Sequence, residues 1–302
     1  MSGHADSTRA IFFALGANFA ITVAKGVAAA LSGSGAMLAE TVHSLADCGN
    51  QALLLLGVKQ AKAPPSSEYP LGFGKAVYFW SFLVAVMLFC LGGMFSLYEG
   101  IHKLSHPEPL RQWWLAVGVL AFSIVAESIS MRACMIEVNK ARGAQSLREW
   151  FRESRQAELI VIFGEDLAAL SGLSLALVAV VLTVLTGNPL WDALGTVVIG
   201  LLLIVVAVFV AIEVKAMLIG QSADPRVTAE MKAFLEGRAE IARVFHLITL
   251  QLGSEVMVSV KAQVAGAQTA SQLVESINAV EKAFRARYPQ VRWSFFEPDN
   301  QD

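Results

Sequence analysis

The sequence predicts an all-α membrane domain of six transmembrane helices followed by a small α+β cytosolic domain. Three observations carry that expectation. Of 302 residues, 55% are hydrophobic and only 16% charged, where soluble domains carry roughly 25% charged residues. Six apolar runs are each long enough to cross the bilayer core, which takes about 20 residues in a helix. Charge then returns abruptly beyond residues 218–221.

The runs fall at residues 10–31, 37–58, 77–100, 112–135, 157–186 and 191–217. Residues 1–9 read as a cytosolic tail containing His4, 10–218 as the membrane domain and 219–302 as the C-terminal domain. The segment MSGHADSTR lacks a charged n-region and a small-residue cleavage site, so the first apolar run is expected to stay in the mature chain. Placing the N-terminus inside puts Arg9, Lys59, Lys62, Lys75, Lys140, Arg142, Arg148, Arg152 and Arg155 on the cytoplasmic side, and only Lys103 and Arg111 outside. That bias orients both termini to the cytoplasm. Trp113, Trp114 and Trp191 stand where interfacial aromatic anchors belong.

The tail alternates element types: a helix over 227–237, strands over 244–252 and 255–264 around Gly253-Ser254, a helix over 269–288 and a strand over 291–297. This αββαβ module of some 80 residues is small enough that dimerisation would help it stay folded. Cys48, Cys90 and Cys134 lie in apolar stretches without CxxC spacing, against a disulfide framework or a thiolate cluster. A net charge of -2 without a long basic block argues against nucleic acid as a partner.

Ionisable groups inside spans are costly and therefore mark function by default. Here they are Lys25, Glu40, His43, Asp47, Glu127, Arg132, Glu165, Asp166 and Asp192. Asp192 sits at the start of the sixth span, where a helix N-terminus favours a carboxylate, and Arg132 is near enough to the inner surface to snorkel. Lys25 reads equally as a buried structural pair or a transport residue, and Glu40 as an access-path group or an outward-facing interfacial carboxylate. At about 1.5 Å per residue, His43 lies about 9 Å and Asp47 about 15 Å below the outer edge, and Asp166 about 13 Å above the inner edge. Glu127, at about 8 Å from the inner edge, falls too low for the same shell unless its helix tilts.

His43 and Asp47 stand one turn apart on one face. An imidazole and a carboxylate so placed can bind a divalent ion together, and a second helix can complete an N/O set suited to zinc. Glu165 and Asp166 are adjacent and diverge by about 100° around their helix. Asp166 is the expected ligand, with Glu165 as second ligand or proton carrier. His102 and His106 share i, i+4 spacing at a helix end beside Pro107, and Gly92, Gly93, Gly195 and Gly200 read as packing positions.

The residues resemble the cation diffusion facilitator family. SGSGAMLAETVHSLAD (32–47) is similar to that family's second transmembrane helix, whose His/Asp positions one turn apart are metal ligands. Asn18, Lys25, YPLGFGK (69–75), YEGIHKLSHPEP (98–109), LWDALGTVVIG (190–200) and the tail from LIGQSADP to FFEPD match in order, so the resemblance covers nearly the whole chain. VHSLADCGNQ, AESIS with Glu127, FRESR (151–155) and GEDLAAL (164–170) are most similar to the branch containing the ninth human zinc transporter.

Departures matter. Where the family's fifth helix has His and Asp one turn apart, this chain has Ile162 and Asp166. Tyr69 and Phe73 stand where many members have loop histidines, and Lys261 and Phe296 replace tail histidines, leaving only His246. Neither a loop site nor a binuclear tail site is therefore expected.

The resemblance implies a ferredoxin-like tail, a homodimer, and Zn²⁺/H⁺ antiport by alternating access in the lipid bilayer, with zinc as cargo and no cofactor. A bacterial inner membrane is the expected location. Mn²⁺, Fe²⁺, Co²⁺ or Ni²⁺ selectivity, or a transport-deficient membrane scaffold or regulator, are the alternatives. No Gly-x-x-x-x-Gly-Lys loop, HExxH or GxSxG sequence is present, which speaks against an ATPase or a hydrolase.

Overall fold

The computed structural model describes the backbone from residue 3 to residue 301 and the side chains from Asn18 onward. His4 and the other side chains before Asn18 lie outside the described residues. The chain divides into two compact units. One comprises residues 1–57, 80–144 and 158–214, the other 58–79, 145–157 and 215–302.

The first unit is helical. Its elements are α1 (Gly3–Ser32), α2 (Gly35–Ala61), α3 (Ala76–Met87), a π-helical segment (Leu88–Met94), α4 (Phe95–Ser105), α5 (Trp113–Arg142), α7 (Ala157–Thr186) and α8 (Leu190–Ile219). Helix α1 begins inside the stretch read as a tail. Among the described residues, four helical stretches are long and apolar enough to cross a membrane: Ala76–Ser105, Trp113–Arg142, Ala157–Thr186 and Leu190–Ile219. Asn18–Ser32 of α1 is a shorter apolar stretch. Helix α2 falls outside these sets because its buried stripe of Ala36, Ala39, Glu40, His43, Ala46, Asn50, Leu54 and Gly57 is interrupted by polar groups.

The N-terminal part of α2, Ala36, Met37 and Ala39, packs into a core with Ala28, Leu88, Leu120, Ala168, Leu173, Val180, Ile199 and Leu203. Opposite faces present Phe122, Val125 and Ile129 of α5 and Val205, Phe209 and Ile212 of α8 outward. In lipid such faces are solvated, so helix contacts rest on close packing rather than on hydrophobic exclusion.

Small residues set the closest approach. A β-carbon on Gly200 would lie 2.6 Å from the backbone nitrogen of Leu97 and 3.0 Å from the carbonyl oxygen of Gly93. Both obstacles are backbone, so α8 and the third span could meet this tightly only through glycine. Gly200→Ala is expected to cost about 1–3 kcal/mol by overpacking, read as a lowered midpoint of thermal unfolding in detergent. An unchanged midpoint would refute the packing role.

The second unit holds α6 (Leu147–Glu153), α9 (Pro225–Glu236), β1 (Ile241–Leu252), β2 (Glu255–Val264), α10 (Ala270–Arg287) and β3 (Val291–Pro298). The tail thus has the αββαβ order expected from its periodicities. The sheet order is β1-β2-β3. Leu250 faces Met257 across the antiparallel β1–β2 pair, and Val260 faces Phe296 across the parallel β2–β3 pair. A parallel neighbour needs a crossover, which α10 supplies between β2 and β3.

Alternate β2 residues Val256, Val258, Val260 and Ala262 pack with Met231, Leu235, Val280, Phe284 and Tyr288 from α9, α10 and the end of α10. Asp224 caps α9 with Pro225 behind it, and Thr269 and Gln272 form a capping box on α10.

Helix α6 lies between the apolar runs 112–135 and 157–186 and takes in the start of FRESR. Ser146 and Glu149 form a capping box at its start, and hydrogen bonds from Ser146 hold the Glu149 carboxyl below its usual range. Within the same unit the β1–β2 turn meets the first turn of α3. Gly253 N–H donates to Tyr78 Oη at 2.9 Å, and Arg155 Nε donates to the carbonyl of Ser222 at 2.7 Å. Tyr69 and Phe73 pack ring against ring, with centroids 4.5 Å apart. Lys261 is paired with Asp299 at 3.0 Å, and Phe296 lies edge-on to Phe284.

Candidate metal site in the helical unit

Helix α2 organises the site. Glu40, His43 and Asn50 are buried on its inner stripe, and Asp47 completes the i, i+4, i+7 set with His43 and Asn50. Nε2 of His43 lies 3.5 Å from Oδ2 of Asp47; the imidazole is fully buried and Asp47 is 21% exposed. The π segment of the third span lies against the imidazole: a β-carbon on Gly92 would be 3.6 Å from His43 Nδ1 and 3.2 Å from Leu203. The π segment ends at Phe95, whose N–H bonds the carbonyls of Cys90 and Gly92. Single π turns of this kind recur at functional sites.

Helix α7 supplies the second pair. Glu165 and Asp166 are both buried and diverge as their adjacency requires. Glu165 accepts a hydrogen bond from Asn50 Nδ2 of α2 at 2.6 Å. Asp166 accepts from Ser130 Oγ of α5, at 3.4 Å to each carboxylate oxygen. Glu127, one turn before Ser130, lies within Coulombic range of both Asp166 and Asp47. Asn50 and Ser130 are additions that residue-by-residue depth did not pick out, although Asn50 shares the helical spacing of His43 and Asp47.

Several polar atoms here have no hydrogen-bond partner among the described residues: both His43 nitrogens, Oδ1 of Asp47, Oδ1 of Asn50 and Oε1 of Glu40. Buried polar atoms are normally satisfied, so such a concentration marks a place built for another partner. The side chains are not drawn into one coordination sphere. Among the described residues, no three His, Cys, Asp or Glu side chains stand close enough to hold an ion. One imidazole and several carboxylates on α2 and α7, with weakly held Asp166, nonetheless form a donor set that fits a divalent cation.

One sequence reading is corrected and another, the placement of Asp192 at the start of α8, is borne out and extended. Glu40 is not an interfacial carboxylate facing outward: it is fully buried, and its Oε2 pairs with Lys25 Nζ at 3.5 Å. Asp192 does more than begin α8. It is buried, accepts from Ser34 Oγ at 2.5 Å and Gly35 N at 2.7 Å, and pairs with Lys103 at 3.6 Å. It therefore caps the first turn of α2, a contact across 157 residues that local sequence could not reveal. His102 and His106 stack at 5.1 Å on the exposed face of α4 and its end, apart from this cluster.

A bundle of long apolar helices enclosing carboxylates and an imidazole defines a multi-pass membrane protein with a polar site in its helical unit. The cation efflux transmembrane domain matches residues 11–219, and the chain belongs to that family, the cation diffusion facilitators, in the branch that includes the SLC30A9 proteins. It is 35% identical over 224 residues to the proton-coupled zinc antiporter SLC30A9, mitochondrial, of Xenopus laevis, covering 74% of this chain and 40% of the relative. It is 31% identical over 241 residues to metal tolerance protein C4 of Arabidopsis thaliana, covering 79% and 53%. Magnetosome protein MamB of Paramagnetospirillum magneticum is 26% identical over 195 residues, covering 64% and 66%. The chain thus spans well under two thirds of the length of the SLC30A9 relatives it matches.

Proposed function

We propose that this protein is a homodimeric transporter that carries Zn²⁺ out of the cytosol in exchange for protons. The observation that carries this reading is the set of buried polar atoms on His43 and Asp47 that have no hydrogen-bond partner among the described residues. Metal binding requires a neutral imidazole and ionised carboxylates, so protons and metal compete for the same groups. That competition couples the two fluxes. With the site open to the cytosol, deprotonated His43, Asp47 and Asp166 capture the ion. With the site open outward, protons reload these groups and the ion leaves. Asn50 and Ser130 hold Glu165 and Asp166 between those events. Glu127 lies within Coulombic range of Asp47 and Asp166 and is the group assigned to hand protons to them.

The charge bias of the connecting segments supports cytoplasmic termini, and a bacterial inner membrane is the proposed location. A second reading rests on the oxygen-rich donor set. With Ile162 in place of an imidazole, the site also suits Mn²⁺, Fe²⁺, Co²⁺ or Ni²⁺.

Reconstituted protein under an imposed pH gradient is expected to accumulate zinc in proteoliposomes and to move protons in the opposite direction. Dissipating the gradient should stop net uptake. Competition among the divalent ions in the same assay ranks the cargo. No metal-dependent proton movement, together with no binding by calorimetry, would sink the transporter and leave the scaffold or regulator.

A further inference from the structure

Glu40 and Lys25 have no part in the ion-capturing set just described, yet Glu40 lies within two turns of His43 and Asp47 on α2. Glu40 precedes His43 by three residues and Asp47 by seven, so all three project from one side of α2. Glu40 is a carboxylate that the helix has already placed beside the donor pair. What keeps it occupied is a lysine from another helix. Lys25 of α1 is only 3% exposed, with Nζ 3.5 Å from Glu40 Oε2 and donating to Ser44 Oγ at 2.6 Å.

The pair uses one carboxylate oxygen. The other, Oε1, has no hydrogen-bond partner among the described residues and faces α7 where Gly172 leaves room for it. Burying two charges is costly, and a pair of this kind is weak evidence for stability alone. An ion pair that leaves one oxygen unsatisfied, one turn from an unsatisfied imidazole, is better explained by what it withholds.

We propose that Lys25 is a positioning residue that sequesters Glu40, keeping this carboxylate out of the cargo shell so that the ion binds weakly enough to be released. This rests on the metal-site reading above and deepens it: the site's affinity is set by a tethered cation as well as by its ligands. Released from Lys25, Glu40 becomes an additional anionic ligand next to His43 and Asp47. Such a shell binds a divalent ion more tightly and lets it go more slowly.

The experiment uses full-length protein, titrated with Zn²⁺ by calorimetry in detergent and assayed for turnover in proteoliposomes. Lys25→Met is expected to tighten zinc binding by at least about tenfold, judged against the 10- to 100-fold effects of groups that orient metal ligands, and to lower turnover by a similar factor. Lys25→Met with Glu40→Gln removes both charges together and is expected to return affinity to within about threefold of wild type, since replacing both partners of a buried pair is far milder than removing one. Lys25→Arg, which keeps the charge, should behave as wild type. If Lys25→Met does not accumulate, Lys25→Gln, which retains a donor for Ser44, carries the same comparison.

A merely structural pair would lower stability without tightening binding. Unchanged or weakened affinity in the lysine variants, with wild-type protein binding normally, overturns the sequestering role alone. Absence of binding to wild type overturns both this role and the metal-site reading.

Discussion

Asp47→Ala is expected to abolish zinc transport, with a loss of at least about 100-fold in proteoliposome uptake, because removing even an outer-shell partner of a metal ligand costs 10- to 100-fold. Asp47 lies 3.5 Å from the His43 imidazole, and its Oδ1 has no hydrogen-bond partner among the described residues. Asp47→Asn keeps volume and removes charge. A similar loss there would assign the effect to the carboxylate rather than to packing. Glu165→Gln should be milder, since its amide oxygen can still accept from Asn50 as Glu165 Oε1 does at 2.6 Å. Undiminished uptake by Asp47→Ala would remove the site from this part of the molecule.

The contrast between Asp47 and Lys25 shows what was legible in the sequence. His43 and Asp47 were visible because helical spacing is local: one turn fixes their shared face whatever surrounds them. The same holds for the tail, where alternation along VMVSVKAQV and the Gly253-Ser254 turn specify β1 and β2 before any tertiary contact is known.

Lys25 was ambiguous because its partner comes from another helix, and no periodicity within α1 encodes which carboxylate of α2 meets it. The π segment was hidden as well. Gly92 and Gly93 announced close packing, but an extra residue in one turn depends on how Gly93 meets Ile204 and Gly92 meets Leu203 and His43. Spacing reveals which groups share a helix face, while pairing between helices is decided by packing.

Asp192→Ala is expected to destabilise the helical unit by about 3–5 kcal/mol, the range for removing one partner of a buried ion pair. Three donors depend on this carboxylate. Ser34 Oγ and Gly35 N lie at the first turn of α2, and Lys103 Nζ of α4 stands 3.6 Å away while also donating to the carbonyl of Gly33. Ser34 in turn accepts from Met37 N at 3.1 Å. Alanine at 192 would leave backbone and hydroxyl donors buried without an acceptor and Lys103 without its counter-charge.

The consequence extends beyond stability. His43 is eight residues, just over two turns, past Gly35, so fraying the start of α2 loosens the helix that positions His43 and Asp47. Asp192→Asn, which retains one acceptor oxygen, should recover about half of the lost stability if hydrogen bonding dominates and little of it if the ion pair with Lys103 does. The measurement is the thermal midpoint in detergent beside zinc affinity. A midpoint unchanged by Asp192→Ala would show that α2 does not depend on its cap. A lowered midpoint with unaltered affinity would confine Asp192 to folding, separate from the metal site.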